Sequence, residues 1–102
     1  MRTKQCAADN DSQKDHIMKT YTFYTDPSHG WLKVSRNELI AAGVAKLISN
    51  YSYQDSSNVY LEEDCDAGKF LHALKASGFE FKIAEKHTNS NSRIRNMQRF
   101  NS

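Results

Sequence analysis

Two cysteines, one proline and four glycines are all this 102-residue chain holds of the residues that staple, stiffen or loosen a backbone. Cys6 and Cys65 stand far apart in unlike surroundings, so they give neither a disulfide framework nor a paired zinc-ligand spacing. No apolar run approaches the roughly 20 residues that span a bilayer, and the mean hydropathy is −0.77. Met1-Arg2-Thr3-Lys4 leads into polar sequence instead of an apolar stretch, so no signal peptide and no membrane association are expected, and cytoplasmic residence is. A strong excess of one charge is missing too. Fourteen basic and 12 acidic residues leave a net +2, below what a dedicated nucleic-acid binder shows. No cofactor-binding signature, repeat or low-complexity run is present.

What is there is charge divided by position. From Asp55 to Asp66 the chain has no Lys or Arg, and Glu62, Glu63, Asp64 and Asp66 crowd one junction. From Lys86 to Ser102 it has four basic residues and no acid. An acidic corner and a basic arm on one small domain favour recognition of a partner over chemistry on a substrate.

The length fits one domain with a modest core. Residues 1–18 read as a flexible extension, since their composition buries too little to offset ordering entropy, and Met18 is a candidate alternative start. Thr20-Tyr21-Thr22-Phe23-Tyr24-Thr25 and Trp31-Leu32-Lys33-Val34 flank a turn holding Pro27 and Gly30, which predicts a hairpin. Ser35 and Glu38 have capping-box spacing, opening a short helix with Leu39, Ile40 and Val44 as its apolar face and a break near Gly43. Tyr51-Ser52-Tyr53-Gln54 and Asn58-Val59-Tyr60-Leu61-Glu62 predict a second hairpin. Asp64 or Asp66 can cap a helix whose Ala67, Phe70, Leu71 and Leu74 share one face and which stops at Ser77-Gly78. Phe79, Phe81 and Ile83 then alternate with polar residues as a last strand. The expectation is an α+β domain over residues 19–87, in ββ-α-ββ-α-β order. Its small antiparallel or mixed sheet carries two helices on one face. Residues 88–102 follow as a flexible-looking linker and a basic arm containing Arg93, Arg95 and Arg99.

Each candidate for chemistry has a plainer alternative. The carboxylates at 62–66 can attract a divalent cation, but they lack the ligand alternation of a calcium loop, and capping with a solvated strand end explains them more simply. Cys65 near a helix start is in a place that activates thiols, yet adjacent acids oppose a thiolate, and a buried structural cysteine is expected. His29 beside Trp31 makes a contact point, or else Trp31 is core and His29 solvated. Tyr51, Tyr53 and Tyr60 offer a stacking platform for bases, or are half-buried sheet tyrosines. The partner-binding residues selected are His29, Trp31, Tyr53, Glu62, Glu63, Asp64, Arg93, Arg95 and Arg99.

His29-Gly30-Trp31-Leu32-Lys33-Val34, Ile48-Ser49-Asn50-Tyr51-Ser52-Tyr53, Tyr60-Leu61-Glu62-Glu63-Asp64-Cys65-Asp66-Ala67 and Ser92-Arg93-Ile94-Arg95 carry a resemblance. They resemble a family of short proteins carried by bacteriophages and mobile elements of proteobacteria, over about residues 19–100. The resemblance implies a phage-encoded accessory protein in a bacterial cytosol and brings no activity with it. A non-enzymatic binder of a host protein complex, blunting a defence or regulatory assembly, is the first expectation. A nucleic-acid binder using the basic arm is the alternative.

Overall fold

The computed structural model describes residues 18–101, so the extension expected over residues 1–18 lies, Met18 apart, outside the described residues. Six strands form one mixed sheet with two α-helices, which is the α+β class. β1 (Lys19–Thr25) and β2 (Gly30–Ser35) make the first antiparallel hairpin, with Tyr24 opposite Trp31. α1 (Arg36–Ala41) follows, capped by both halves of the Ser35–Glu38 box, and Gly43 takes a left-handed φ of 79° just beyond it. A 3₁₀ turn (Ala45–Leu47) leads to β3 (Tyr53–Gln54) and β4 (Asn58–Glu62). α2 (Ala67–Ala76) ends in a Schellman pattern: Phe79 N–H reaches Leu74 O at 3.0 Å and Gly78 N–H reaches Lys75 O at 3.0 Å. β5 (Phe81–His87) pairs parallel with β1. The strand order is β5-β1-β2-β4-β3, with β6 (Gln98–Arg99) beyond β3.

Period-two alternation sorts the strand residues onto two faces. Tyr21, Leu32, Val34, Val59 and Leu61 point to one side, where Leu39 of α1 and Ala67 and Phe70 of α2 complete the main core. Tyr21 sits edge-on to Phe70 with centroids 5.5 Å apart, and its hydroxyl donates to Glu38 at 2.9 Å. Burial, and then the Glu38 carboxylate, push that phenol up to about 12. Trp31 and Tyr60 point to the other side and form a second core with Ile94.

Several expectations need correcting. The sheet has a sixth strand, because the chain beyond His87, expected as a flexible-looking linker followed by a basic arm, is folded onto it. Ser92 caps a 3₁₀ turn (Arg93–Asn96), Ile94 enters the second core, and Phe100 is buried in the main one. Its apolar residues were too sparse in sequence to mark a core, yet each inserts into one built by others. Ile40 is 59% exposed, since a six-residue helix buries only the Leu39 side. Phe79 lies outside the last strand and is exposed, and Ile83 is 44% exposed on the edge strand β5. β3 is two residues long because Tyr51 and Ser52 belong to a turn.

Candidate functional site

The hairpin turn begins with Asp26, whose Oδ1 accepts the backbone N–H groups of Ser28 (3.0 Å) and His29 (2.9 Å) while its own N–H donates to His29 O at 2.9 Å. Gly30 follows because Phe23 lies across it: a Cβ there would come within 2.6 Å of the phenyl ring. The second oxygen of Asp26 reaches 66 residues along the chain to accept Ser92 N–H at 3.0 Å. Arg95 then grips the same carboxylate with two guanidinium nitrogens at 2.6 and 2.9 Å. The Arg95 pairing, reinforced by three backbone N–H groups, outweighs burial and holds Asp26 well below the usual carboxylate range. So a turn aspartate clamps the arm to the hairpin.

Asp66, just beyond the end of β4, anchors a second network. It occupies the N-cap position of α2 but its side chain does not cap the helix, contrary to expectation. The fully buried carboxylate instead accepts Ser49 N–H at 3.1 Å, Ser49 Oγ at 2.7 Å and the Ser52 hydroxyl, with Lys69 at 3.2 Å. Ser52 Oγ in turn accepts Glu62 N–H at 2.9 Å, and Phe100 N–H donates to Ser52 O at 2.8 Å. This network fixes the Asn50–Tyr51 turn against which Arg99 rests, its Nη1 donating to Asn50 O at 3.0 Å.

Between the two clamps lies a cleft of about 350 Å³. Trp31 and Tyr53 line it edge-on to each other at 6.3 Å between centroids. The Arg95 guanidinium stands over Trp31 and that of Arg99 over Tyr53, each 5.3 Å from the ring centroid. His29, Glu62, Asp64, Cys65 and the exposed Tyr51 complete the lining. Glu62 is itself buried. One of its oxygens accepts the N–H groups of Asp64 (2.9 Å) and Cys65 (2.8 Å), and the other stands 3.9 Å from His29 Nδ1.

Of the residues selected from sequence, His29, Trp31, Tyr53, Glu62, Asp64, Arg95 and Arg99 meet at this cleft. Glu63 and Arg93 are exposed and stand outside its lining, Glu63 tied only through its N–H to Gly30 O at 3.0 Å. The acidic corner and the basic arm are therefore two walls of one cleft instead of separate poles. Trp31 is core, with 2% of its surface exposed, and still contributes its ring to the floor. Tyr60 is buried beneath Asp55 and Tyr24, so the three tyrosines do not make a platform.

Cys65 is exposed, not buried as expected. Thiol, imidazole and carboxyl groups thus share a lining, the usual ingredients of nucleophilic catalysis. Desolvation, a hydrogen bond to Glu62 and the neighbouring carboxylates all raise the thiol's pKa, which is the reverse of activation. As for a cation, Glu62 is turned inward onto backbone N–H groups, and no cluster of three or more His, Cys, Asp or Glu among the described residues suits a metal ion. Among the same residues no helix is long and apolar enough to cross a membrane.

Sequence reasoning missed the roles of Asp26, Ser49 and Ser52, and placed Asp66 as a helix cap or acidic-corner residue and not as the buried anchor of Ser49 and Ser52. Asp-Pro-Ser-His signalled a turn, and nothing local pointed to Arg95. No protein-family model matches this chain, and no curated protein or solved structure is significantly similar to it.

Proposed function

We propose that this protein is a non-enzymatic binding module that holds a segment of a partner protein in the cleft between the Asp26 clamp and the Asp66 clamp. The observation that carries the reading is convergence. Aromatic rings, two arginines, a histidine and two carboxylates from the first hairpin, β3 and the turn before it, the end of β4 and the C-terminal segment line one concave surface, with Arg95 held by Asp26 and Arg99 by Asn50 O. Aromatic and arginine anchors in pre-set positions are what protein interfaces use for most of their binding energy. The resemblance to phage and mobile-element proteins makes a host protein complex in the bacterial cytosol the expected partner, with inhibition of a defence or regulatory assembly as the outcome.

Nucleic acid is the weaker reading. Arg95 is committed to Asp26, and Glu62 and Asp64 face the same space a phosphate would enter. Catalysis by Cys65 is weaker still, for the reason its thiol shows.

The test is capture from a proteobacterial host lysate with the full chain and with Tyr51→Ala/Arg99→Glu, both checked for fold by circular dichroism. A discrete protein retained by the parent, lost by the variant and indifferent to nuclease is expected. Equal capture by both proteins, or loss of capture on nuclease treatment, would overturn the reading.

A further inference from the structure

The cleft's formal charges nearly cancel, so its preference is set by which hydrogen-bonding groups remain unused. Trp31 Nε1–H is buried and has no partner among the described residues, and its ring lines the cleft. That nitrogen has no surface open to the cleft, so the indole reports on an occupant without itself donating to it. Among the described residues Arg95 uses Nε and Nη2 on Asp26, leaving Nη1 unengaged. Among the same residues Arg99 uses only Nη1, on a backbone carbonyl, which leaves Nε and Nη2. On the acceptor side, Glu62 is already taken by two backbone N–H groups and faces His29. Asp26 is neutralised behind Arg95. Among the described residues, the lining charges without a compensating partner are Arg99, which stacks on Tyr53, and Asp64, both of them exposed.

From these idle donors we infer that the cleft receives an acidic side chain of the partner segment, its carboxylate taken by Arg99 and the unused Nη1 of Arg95. A planar two-oxygen carboxylate matches a guanidinium edge, and charge-assisted pairs of this kind are the stronger hydrogen bonds. A polyphosphate strand fits less well, because its next charge would meet Asp64 and Glu62. The inference rests on the cleft being the protein-binding surface proposed above.

Trp31 is the only tryptophan in the chain, so its fluorescence reports on the cleft directly. The full chain is titrated with an acetylated, amidated hexapeptide of alternating glycine and glutamate, with its lysine counterpart, and with a twelve-residue oligothymidylate. The glutamate peptide is expected to shift Trp31 emission saturably. Arg99→Gln should weaken that binding about tenfold, as loss of one charge-assisted pair implies, and Asp64→Asn should tighten it several-fold by removing repulsion. No saturable response to the glutamate peptide, tighter binding of the lysine peptide or the oligonucleotide, or reversed signs for the two variants would overturn the inference. The same peptide is then used to compete with the captured host protein. Displacement supports the acidic occupant. If capture depends on Arg99 and Tyr51 but the peptide does not displace the protein, the cleft stands as the binding surface and the acidic occupant falls.

Discussion

The two faces of the sheet are built on different physics. On the helix side Leu32, Val34, Val59 and Leu61 meet Leu39 and Phe70, all but free of solvent and wholly apolar. On the other side Trp31 and Tyr60 are covered by Ile94 alone, with Tyr24, Tyr53 and Met97 partly buried around them. That cover is held down by Asp26 and by the β3–β6 pairing, not by a helix. The first face owes its stability to area removed from water, which is non-directional. The second owes its order to a few directed bonds spanning 66 to 69 residues. The cleft lies on the second face, so its geometry depends on bonds that can be removed one at a time.

The comparison is broken most severely from the apolar side. Phe70→Ala deletes a fully buried ring that contacts Tyr21 and should cost about 4 kcal/mol, within the range for large-to-small changes in a packed core. In a domain of this size that is a large fraction of the total stability. Chemical denaturation followed by far-ultraviolet circular dichroism measures it, and loss of both faces together is expected.

Asp26→Ala comes next, at about 3 kcal/mol, because it strands Arg95 and two turn N–H groups. Arg95 keeps some access to water, which holds the cost to the low end. Here the faces should part company: Trp31 fluorescence should redden and the amides of residues 92–99 lose exchange protection, while the helices keep theirs. If helix signal and Trp31 signal fall in one transition, the two faces are a single cooperative unit and the distinction drawn above fails. Acid offers the same test without mutation. The folded Asp26 carboxyl is depressed, so its stabilisation is complete above the unfolded value of about 3.9 and drains away as pH falls below it. Glu38, Asp55 and Asp66 are depressed too and weaken the whole domain in the same direction. The share due to Asp26 is the part of the Trp31 shift below about pH 4 that Asp26→Asn abolishes.

The same division explains what sequence could reveal. The capping box at Ser35 and Glu38, the Gly43 break and the Ser77-Gly78 stop are local, and each is found where its spacing puts it. The apolar face of α2 is periodic, and Ala67 and Phe70 are buried accordingly. What could not be read is non-local. Asp26 looks like any turn aspartate until Arg95 is beside it, and Asp66 looks like an N-cap until Ser49 and Ser52 approach from the preceding loop. The arm gave no periodic signal because a 3₁₀ turn and a two-residue strand are too short to have one. Two of its residues singled out on charge, Arg95 and Arg99, line the cleft.

The Cys65 side chain should matter least to either face. Cys65 is exposed at the cleft lining, on the directed-bond face, and its thiol adds only one weak hydrogen bond to Glu62, which its N–H already engages whatever the side chain. Cys65→Ala should therefore leave stability within about 0.5 kcal/mol, as for surface changes away from special features. The hexapeptide affinity should not change measurably. Glu62, Asp64 and Asp66 disfavour the thiolate, so iodoacetamide at neutral pH should alkylate Cys65 more slowly than it does a cysteine in a short unstructured peptide. Peptide mapping by mass spectrometry separates this from any reaction at Cys6. Fast alkylation of Cys65, with loss of a biological activity that Cys65→Ala also loses, would mean the imidazole and carboxylate beside it serve the thiol. The cleft would then be a reaction centre, and the binding reading would give way to it.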